Sequence, residues 1–178
     1  MKDLGQLTYF LGLEVHTTSH GLFLNQHKYI QDLIGLADLF EASSIDMLLE
    51  LNVNYQKVKG DILPDPSLYR RLVGSLIYLT ITHPDISSAV HTLSKFMDAP
   101  RHLHMVAVHR IIRYLIGTPH RGHFFPRGSS LELTAYSDVD WASCPDSRHS
   151  TTGWCIFFGD ALISWKCKKQ DYVSKSST

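Results

Sequence analysis

The chain has little cysteine and no long apolar run. Cys144, Cys155 and Cys167 are odd in number and show no close pair. This argues against a disulfide scaffold and for free thiols in a reducing compartment, cytoplasmic or nuclear. No stretch of eighteen apolar residues occurs, so no membrane span is expected. The first residues, Met1-Lys-Asp-Leu-Gly5, carry no apolar export segment. Internal repeats and low-complexity segments are missing too. Neither Cys-x-x-Cys nor His-Glu-x-x-His is present. The eleven histidines do not compensate, because His102, His104 and His109 do not share one helical face; structural zinc is not expected. Gly5, Gly12 and Gly74 do not form a nucleotide-binding loop. Acids are lacking from 101 to 130, where Arg101, Arg110, Arg113, Arg121 and Arg127 all fall.

What remains is the composition of a folded chain. Apolar residues make up 44% of 178, enough for one good core or two small ones and too many for wholesale disorder. Formal charge is zero overall but uneven. Residues 1–65 hold nine acids and four bases, whereas residues 66–178 hold eight acids and thirteen bases. The basic second part favours a polyanionic partner; a solvated helix face with scattered arginines has the same composition.

Residues 7–15 are apolar and β-forming, 16–21 read as a turn and 22–24 as a short return strand. Asn25 fits an N-cap for a helix to about Ala37. Residues 38–65 look irregular. Leu68, Leu72, Leu76 and Leu79 then recur at helical spacing, and Gly74 suggests a close helix contact. His83-Pro84 breaks that helix, and Ile86, Ala89, Val90 and Leu93 form the apolar stripe of a second. A third spans about 103–116 and ends at Gly117-Thr-Pro119. Residues 121–130 look loop-like. Strands are expected at about 131–137, 152–158 and 161–165, with Gly159-Asp160 as a hairpin turn.

The most informative motif is Tyr136-Ser-Asp-Val-Asp-Trp-Ala142, in which a β-like run delivers two aspartates to a strand end. Taken with Met1-Lys-Asp-Leu-Gly-Gln-Leu-Thr-Tyr-Phe-Leu-Gly-Leu-Glu-Val15, Tyr69-Arg-Arg-Leu-Val-Gly-Ser-Leu-Ile-Tyr-Leu-Thr80, His83-Pro-Asp-Ile86, Arg113-Tyr-Leu-Ile-Gly-Thr118, Ser150-Thr-Thr-Gly-Trp154 and Ile163-Ser-Trp-Lys-Cys-Lys-Lys-Gln170, it covers nearly the whole chain. In that order and spacing these stretches resemble the Pol polyprotein of copia-type retrotransposons, at the end of the reverse transcriptase region and the start of the ribonuclease H domain.

The resemblance implies an α+β fold with a truncated palm-edge hairpin, a central helical segment and the first strands of a ribonuclease H-like mixed sheet. It implies three regions: 1–65, distal palm edge and thumb-like part; 66–125, a helical connection; and 126–178, an incomplete ribonuclease H-like domain. The ancestral activities are RNA-directed DNA synthesis and cleavage of RNA–DNA hybrids, with Mg²⁺ or Mn²⁺ as cofactor and a hybrid or DNA as partner. Asp138 corresponds to the first metal-binding carboxylate of the nuclease.

Several features depart from the family pattern. The polymerase Tyr-x-Asp-Asp motif is absent, and the sequence stops at Ser176-Ser-Thr178 before the usual Glu-Ala-Glu-Tyr. His83, Met105, Pro145 and Cys167 replace more usual residues. Whether the chain is an enzyme stays open: the expectation is a fragment inactive by itself that binds no metal tightly, the alternative a non-enzymatic nucleic-acid-binding remnant.

Two-metal phosphoryl transfer needs oxygen ligands that bridge and flank ions roughly 3.5–4 Å apart. Asp138 suits that role; Asp140 is either a second metal-site acid or a solubilising loop residue. Lys166, Lys168 and Lys169 form a basic patch beside Trp165 that either meets phosphates or is a charged loop. Arg110 and Arg113 are three apart on one helix and could follow the same nucleic acid. Ser150-Thr-Thr152 is a phosphate contact or simply a turn into a strand. Trp141, Trp154 and Trp165 read as sheet-packing aromatics.

Overall fold

The computed structural model describes residues 5–50, 53, 55–56, 60–141 and 147–173. Ala142, Cys144, Pro145 and Ser176-Ser-Thr178, on which parts of the sequence reading fall, lie outside the described residues.

Four helices form the core: α1 (His27–Leu36), α2 (Ser67–Leu79), α3 (Ser87–Ser94) and α4 (His102–Gly117). Each buries the stripe its spacing dictates. In α2 Tyr69, Leu72, Val73, Leu76 and Leu79 have no exposed surface. They meet Ile30, Leu33 and Ile34 of α1, Val90 and Leu93 of α3, and Val108, Ile111, Ile112 and Leu115 of α4 in one cluster. The Tyr69 hydroxyl donates to the Leu93 carbonyl at 2.7 Å and ties α2 to α3 inside that cluster. Pro84 starts a 3-10 turn, Pro84–Ile86, that leads into α3 and separates it from α2. Gly74 lies on the exposed face of α2 with no atom within 4 Å of where a Cβ would be, so the close helix contact expected there does not exist.

A four-stranded antiparallel sheet flanks the helices in the order β1-β2-β3-β4. Its strands are β1 (Tyr9–Phe10), β2 (Leu13–Thr18), β3 (Gly21–Asn25) and β4 (Gly122–Pro126). Leu11 and Gly12, with φ of 48° and 78°, make the two-residue β1–β2 turn. Tyr78 of α2 donates its hydroxyl to the Leu11 carbonyl and pins that turn. β4 falls in the segment read from sequence as a loop. Its five residues carry little local pattern, and β3 supplies the pairing from about a hundred residues away. Gly122 is required there, because a Cβ would strike the Leu24 carbonyl. Asn25, expected as a helix cap, ends β3 instead; Gln26 takes the cap position without a side-chain cap bond.

A second antiparallel sheet has the order β5-β6-β7, with β5 (Leu133–Asp140), β6 (Thr151–Phe158) and β7 (Ala161–Lys169). Gly159, at φ 56°, opens the β6–β7 turn as expected. β5 is exposed along its whole length. β7 docks on the helices: the Trp165 indole N–H donates to the Thr80 carbonyl at 3.0 Å, and its ring lies 4.5 Å from that of His123. The fold is thus α+β, with a hairpin-led sheet, a helical centre and a second sheet.

Burial predicts where stability resides. Leu76→Ala, in the helical core with no exposed surface, is expected to cost about 2–5 kcal/mol in urea unfolding. Leu133→Ala, at a site 68% exposed, is expected to change stability by less than about 0.5 kcal/mol.

Candidate functional site

The pleat of the second sheet decides what its side chains can reach. Residues directly opposite across strands share a face. Tyr136 pairs with Cys155 and Cys155 with Trp165; Asp138 pairs with Gly153 and Gly153 with Cys167; Asp140 pairs with Thr151 and Thr151 with Lys169. Trp165 docks on Thr80, so this face is turned to the helices. Ser137 pairs with Trp154 and Trp154 with Lys166; Val139 pairs with Thr152 and Thr152 with Lys168. These residues occupy the opposite face. The lysines that form one patch in the sequence are therefore divided: Lys169 shares the face of Asp138 and Asp140, whereas Lys166 and Lys168 lie behind it.

Asp138 borders a cleft of about 320 Å³ between the sheet and the start of α3, lined also by Pro84, Ser87, Ser88, Tyr136 and Gly153. Gly153, next to Asp138 in register, leaves the floor open, with no atom within 4 Å of where its Cβ would be. Asp138 is exposed, and its Oδ1 accepts a hydrogen bond from the Val139 N–H at 2.8 Å. Asp140 lies two residues along the same face, roughly 6.5–7 Å further on by strand rise. Two carboxylates supply only part of the set of oxygen ligands that two ions roughly 3.5–4 Å apart require. Among the described residues no group of three or more His, Cys, Asp or Glu is arranged to hold a metal. Among the described residues the donor set therefore falls short of a two-metal centre. Ser150 is buried at the entry to β6, and Thr151 and Thr152 are strand residues, with Thr152 Oγ1 accepting from Gln170 Nε2 at 2.9 Å.

Four of the five arginines of the acid-free stretch have their side chains engaged within the chain. Arg110 donates to the Met47 carbonyl at 3.1 Å and to Glu50 at 3.3 Å. Arg113 donates to the Ser43 carbonyl at 2.8 Å and to its hydroxyl at 3.0 Å. The two clamp the irregular segment 38–50 onto α4. Arg101 donates to the Gly60 carbonyl at 2.6 Å. Arg121 meets Asp85 Oδ2 at 2.9 Å, and Tyr114 donates to the same oxygen at 2.6 Å. The motifs His83-Pro-Asp-Ile86 and Arg113-Tyr-Leu-Ile-Gly-Thr118 thus meet through Asp85 and Tyr114.

Sequence reasoning missed a buried polar chain beside that cluster. Thr82 donates to Gln26 Oε1 at 2.7 Å, and His83 Nδ1 lies 2.9 Å from the same hydroxyl. With the Thr82 proton given to Gln26, His83 donates from Nδ1. Burial depresses the His83 pKa, against the opposing pull of the Asp85 charge. Burial, and then the neighbouring His83, depress that of His123. The sequence signal was the family departure at His83, whose small neutral ring fits a site with no exposed surface.

The fold defines a class: a mixed α+β protein whose antiparallel sheets and helical segments are consistent with a ribonuclease H-like or palm-like arrangement. Comparison with known proteins gives the family. The chain is 44% identical over all its 178 residues to the retrovirus-related Pol polyprotein from transposon RE1 of Arabidopsis thaliana, and spans 12% of that protein's length. It is 42% identical over its whole length to an uncharacterized mitochondrial protein of the same plant, and covers 74% of it. A retrovirus-related Pol polyprotein from transposon TNT 1-94 of Nicotiana tabacum is 35% identical over 189 aligned residues, 14% of its length. No family model matches the chain. No solved structure matches it either. The chain is homologous over its full length to the reverse transcriptase and ribonuclease H region of copia-type retrotransposon Pol polyproteins, and spans a small part of their length. Among the described residues no helix is long and apolar enough to cross a membrane.

The depressed histidines make stability depend on pH. Their folded-state pKa values lie below the unfolded value of about 6.5, so the unfolded chain takes up protons first as pH falls. This contribution is complete above about pH 6.5 and is lost below it. The melting temperature is expected to be lower at pH 5.5 than at pH 7.5, and the His83→Gln difference between those conditions to be smaller.

Proposed function

We propose that the chain is a catalytically inactive derivative of a retrotransposon reverse transcriptase and ribonuclease H that retains affinity for nucleic acid. The observation that carries this reading is Asp138, exposed on the helix-side face and not joined, among the described residues, by enough donors to hold two metals. Hydrolysis of a phosphodiester also needs a positioned water and stabilisation of charge developing on phosphate. Asp138 and Asp140 supply neither in full. In this reading residues 1–65 descend from the palm edge and thumb-like part, 66–125 from the connection and 126–178 from the nuclease. Lys169, on the face of Asp138, is the lysine able to meet a phosphate there. Arg110 and Arg113 join in only where segment 38–50 releases them.

The test is incubation of the purified, folded chain with a labelled RNA–DNA hybrid in Mg²⁺ or Mn²⁺, beside Asp138→Asn. The expected outcome is no cleavage by either protein and binding that weakens as salt rises. Cleavage by the parent chain that disappears in Asp138→Asn would overturn the inactive reading. Absence of binding at low salt would overturn the nucleic-acid reading.

A further inference from the structure

The face of the second sheet turned away from the helices combines aromatic surface with positive charge. Trp154 sits at its centre, opposite Lys166 in register, with the Lys166 ammonium 6.0 Å from the ring centroid. Lys168 lies next along β7, and the β5 residues across from these positions, Ser137 and Val139, carry no charge. Asp138 and Asp140 project to the other side of the sheet because they are displaced from Ser137 and Val139 by one residue. The pleat therefore removes the two nearest strand carboxylates from the lysine face.

A cavity of about 410 Å³ opens beside Trp154, with Thr152, Lys168, Gln170, Asp171 and Tyr172 among its walls. Tyr172 is 85% exposed, an aromatic ring in water just past the end of β7. Gln170 is held in place by its hydrogen bond to Thr152 Oγ1 at 2.9 Å. The site thus brings together two aromatic side chains, Gln170, Asp171, Lys168 and Lys169, with Lys166 beside the Trp154 ring. A nucleobase stacks on aromatic rings, its edge uses amide and carboxylate groups, and its phosphates pair with lysines. A duplex keeps its bases stacked on one another and presents only its backbone, so it cannot use the rings.

We propose that this cavity is a binding site for an unpaired nucleobase of single-stranded DNA or RNA, stacked against Trp154 and Tyr172 with its flanking phosphates on Lys166 and Lys168. The inference rests on the nucleic-acid reading above but assigns a different face of the sheet from that of Asp138. On binding, Lys166 exchanges its contact with the Trp154 ring for a phosphate while the base takes the ring face.

The experiment is fluorescence anisotropy with the full chain, using a labelled twelve-residue oligothymidylate and, separately, a labelled blunt RNA–DNA hybrid. Tyr172→Ala is the main variant, since so exposed a ring contributes little to folding; Trp154→Leu and the double variant Lys166→Ala, Lys168→Ala accompany it. Tyr172→Ala is expected to weaken oligothymidylate binding about tenfold, as loss of one base-stacking ring does, and to leave hybrid binding unchanged. The double lysine variant is expected to weaken it further and to flatten its salt dependence. Oligothymidylate binding that is unaltered in both Tyr172→Ala and Trp154→Leu would overturn the stacking site while leaving the nucleic-acid reading intact. Failure of the parent chain to bind either probe at low salt would overturn both.

Discussion

The structure depends on one side chain more than on any other outside the helical core. Trp165 sits in the middle of β7 and spans the gap between the second sheet and the rest of the molecule. Its indole N–H meets the carbonyl of Thr80, just past the end of α2, where main-chain acceptors lack helical partners. Its ring lies against His123 of β4, so one residue touches both the helices and the first sheet. Because side chains alternate along a strand, fixing Trp165 inward fixes the facing of the residues between it and the Lys169 end of the sheet, beyond the irregularity at Ile156 and Phe157. Asp138 and Lys169 must then face the helix side, and Lys166 and Lys168 the far side.

That sorting separates two chemistries which a linear reading places together. The carboxylate face borders a cleft beside α3, and it holds Asp138, Asp140 and Lys169. The opposite face holds Trp154, Lys166 and Lys168. A pair of exposed carboxylates and a basic aromatic surface thus lie back to back on three strands. The two faces share no side chains, so a substitution on one leaves the groups of the other in place. β5 adds a cost to this arrangement: it is an edge strand, exposed throughout, with Leu133, Tyr136 and Val139 in water. Such an edge invites pairing with other chains, and Asp138 and Asp140 on it oppose that pairing by charge.

Much of this was legible in the sequence. The spacing of Leu72, Leu76 and Leu79 placed α2, and Gly159-Asp160 placed the β6–β7 turn, because both signals are local. Asp138 stood out through its motif. Hidden from view were contacts between distant residues. β4 is five residues long and forms only because β3 offers an edge. The arginines of the acid-free stretch read as a polyanion-binding face, yet Arg110 and Arg113 bind carbonyls some sixty to seventy residues away in sequence. A carbonyl acceptor leaves no trace in composition. His83 gave a signal only as a departure from the family, and its role in the chain to Thr82 and Gln26 required the fold. Trp154 and Trp165 looked alike in the sequence; the pleat gives one to docking and the other to the open face.

The docking of Trp165 is the claim from which both faces follow, and hydrogen exchange of the tryptophan indole protons by nuclear magnetic resonance tests it most directly. The account predicts that the Trp165 indole proton, bonded to Thr80 and covered by His123, exchanges most slowly of the three, with Trp141 and Trp154 exchanging fast. A Trp165 proton that exchanges as fast as the other two would mean that the sheet is not held on the helices, and the assignment of its two faces would fall.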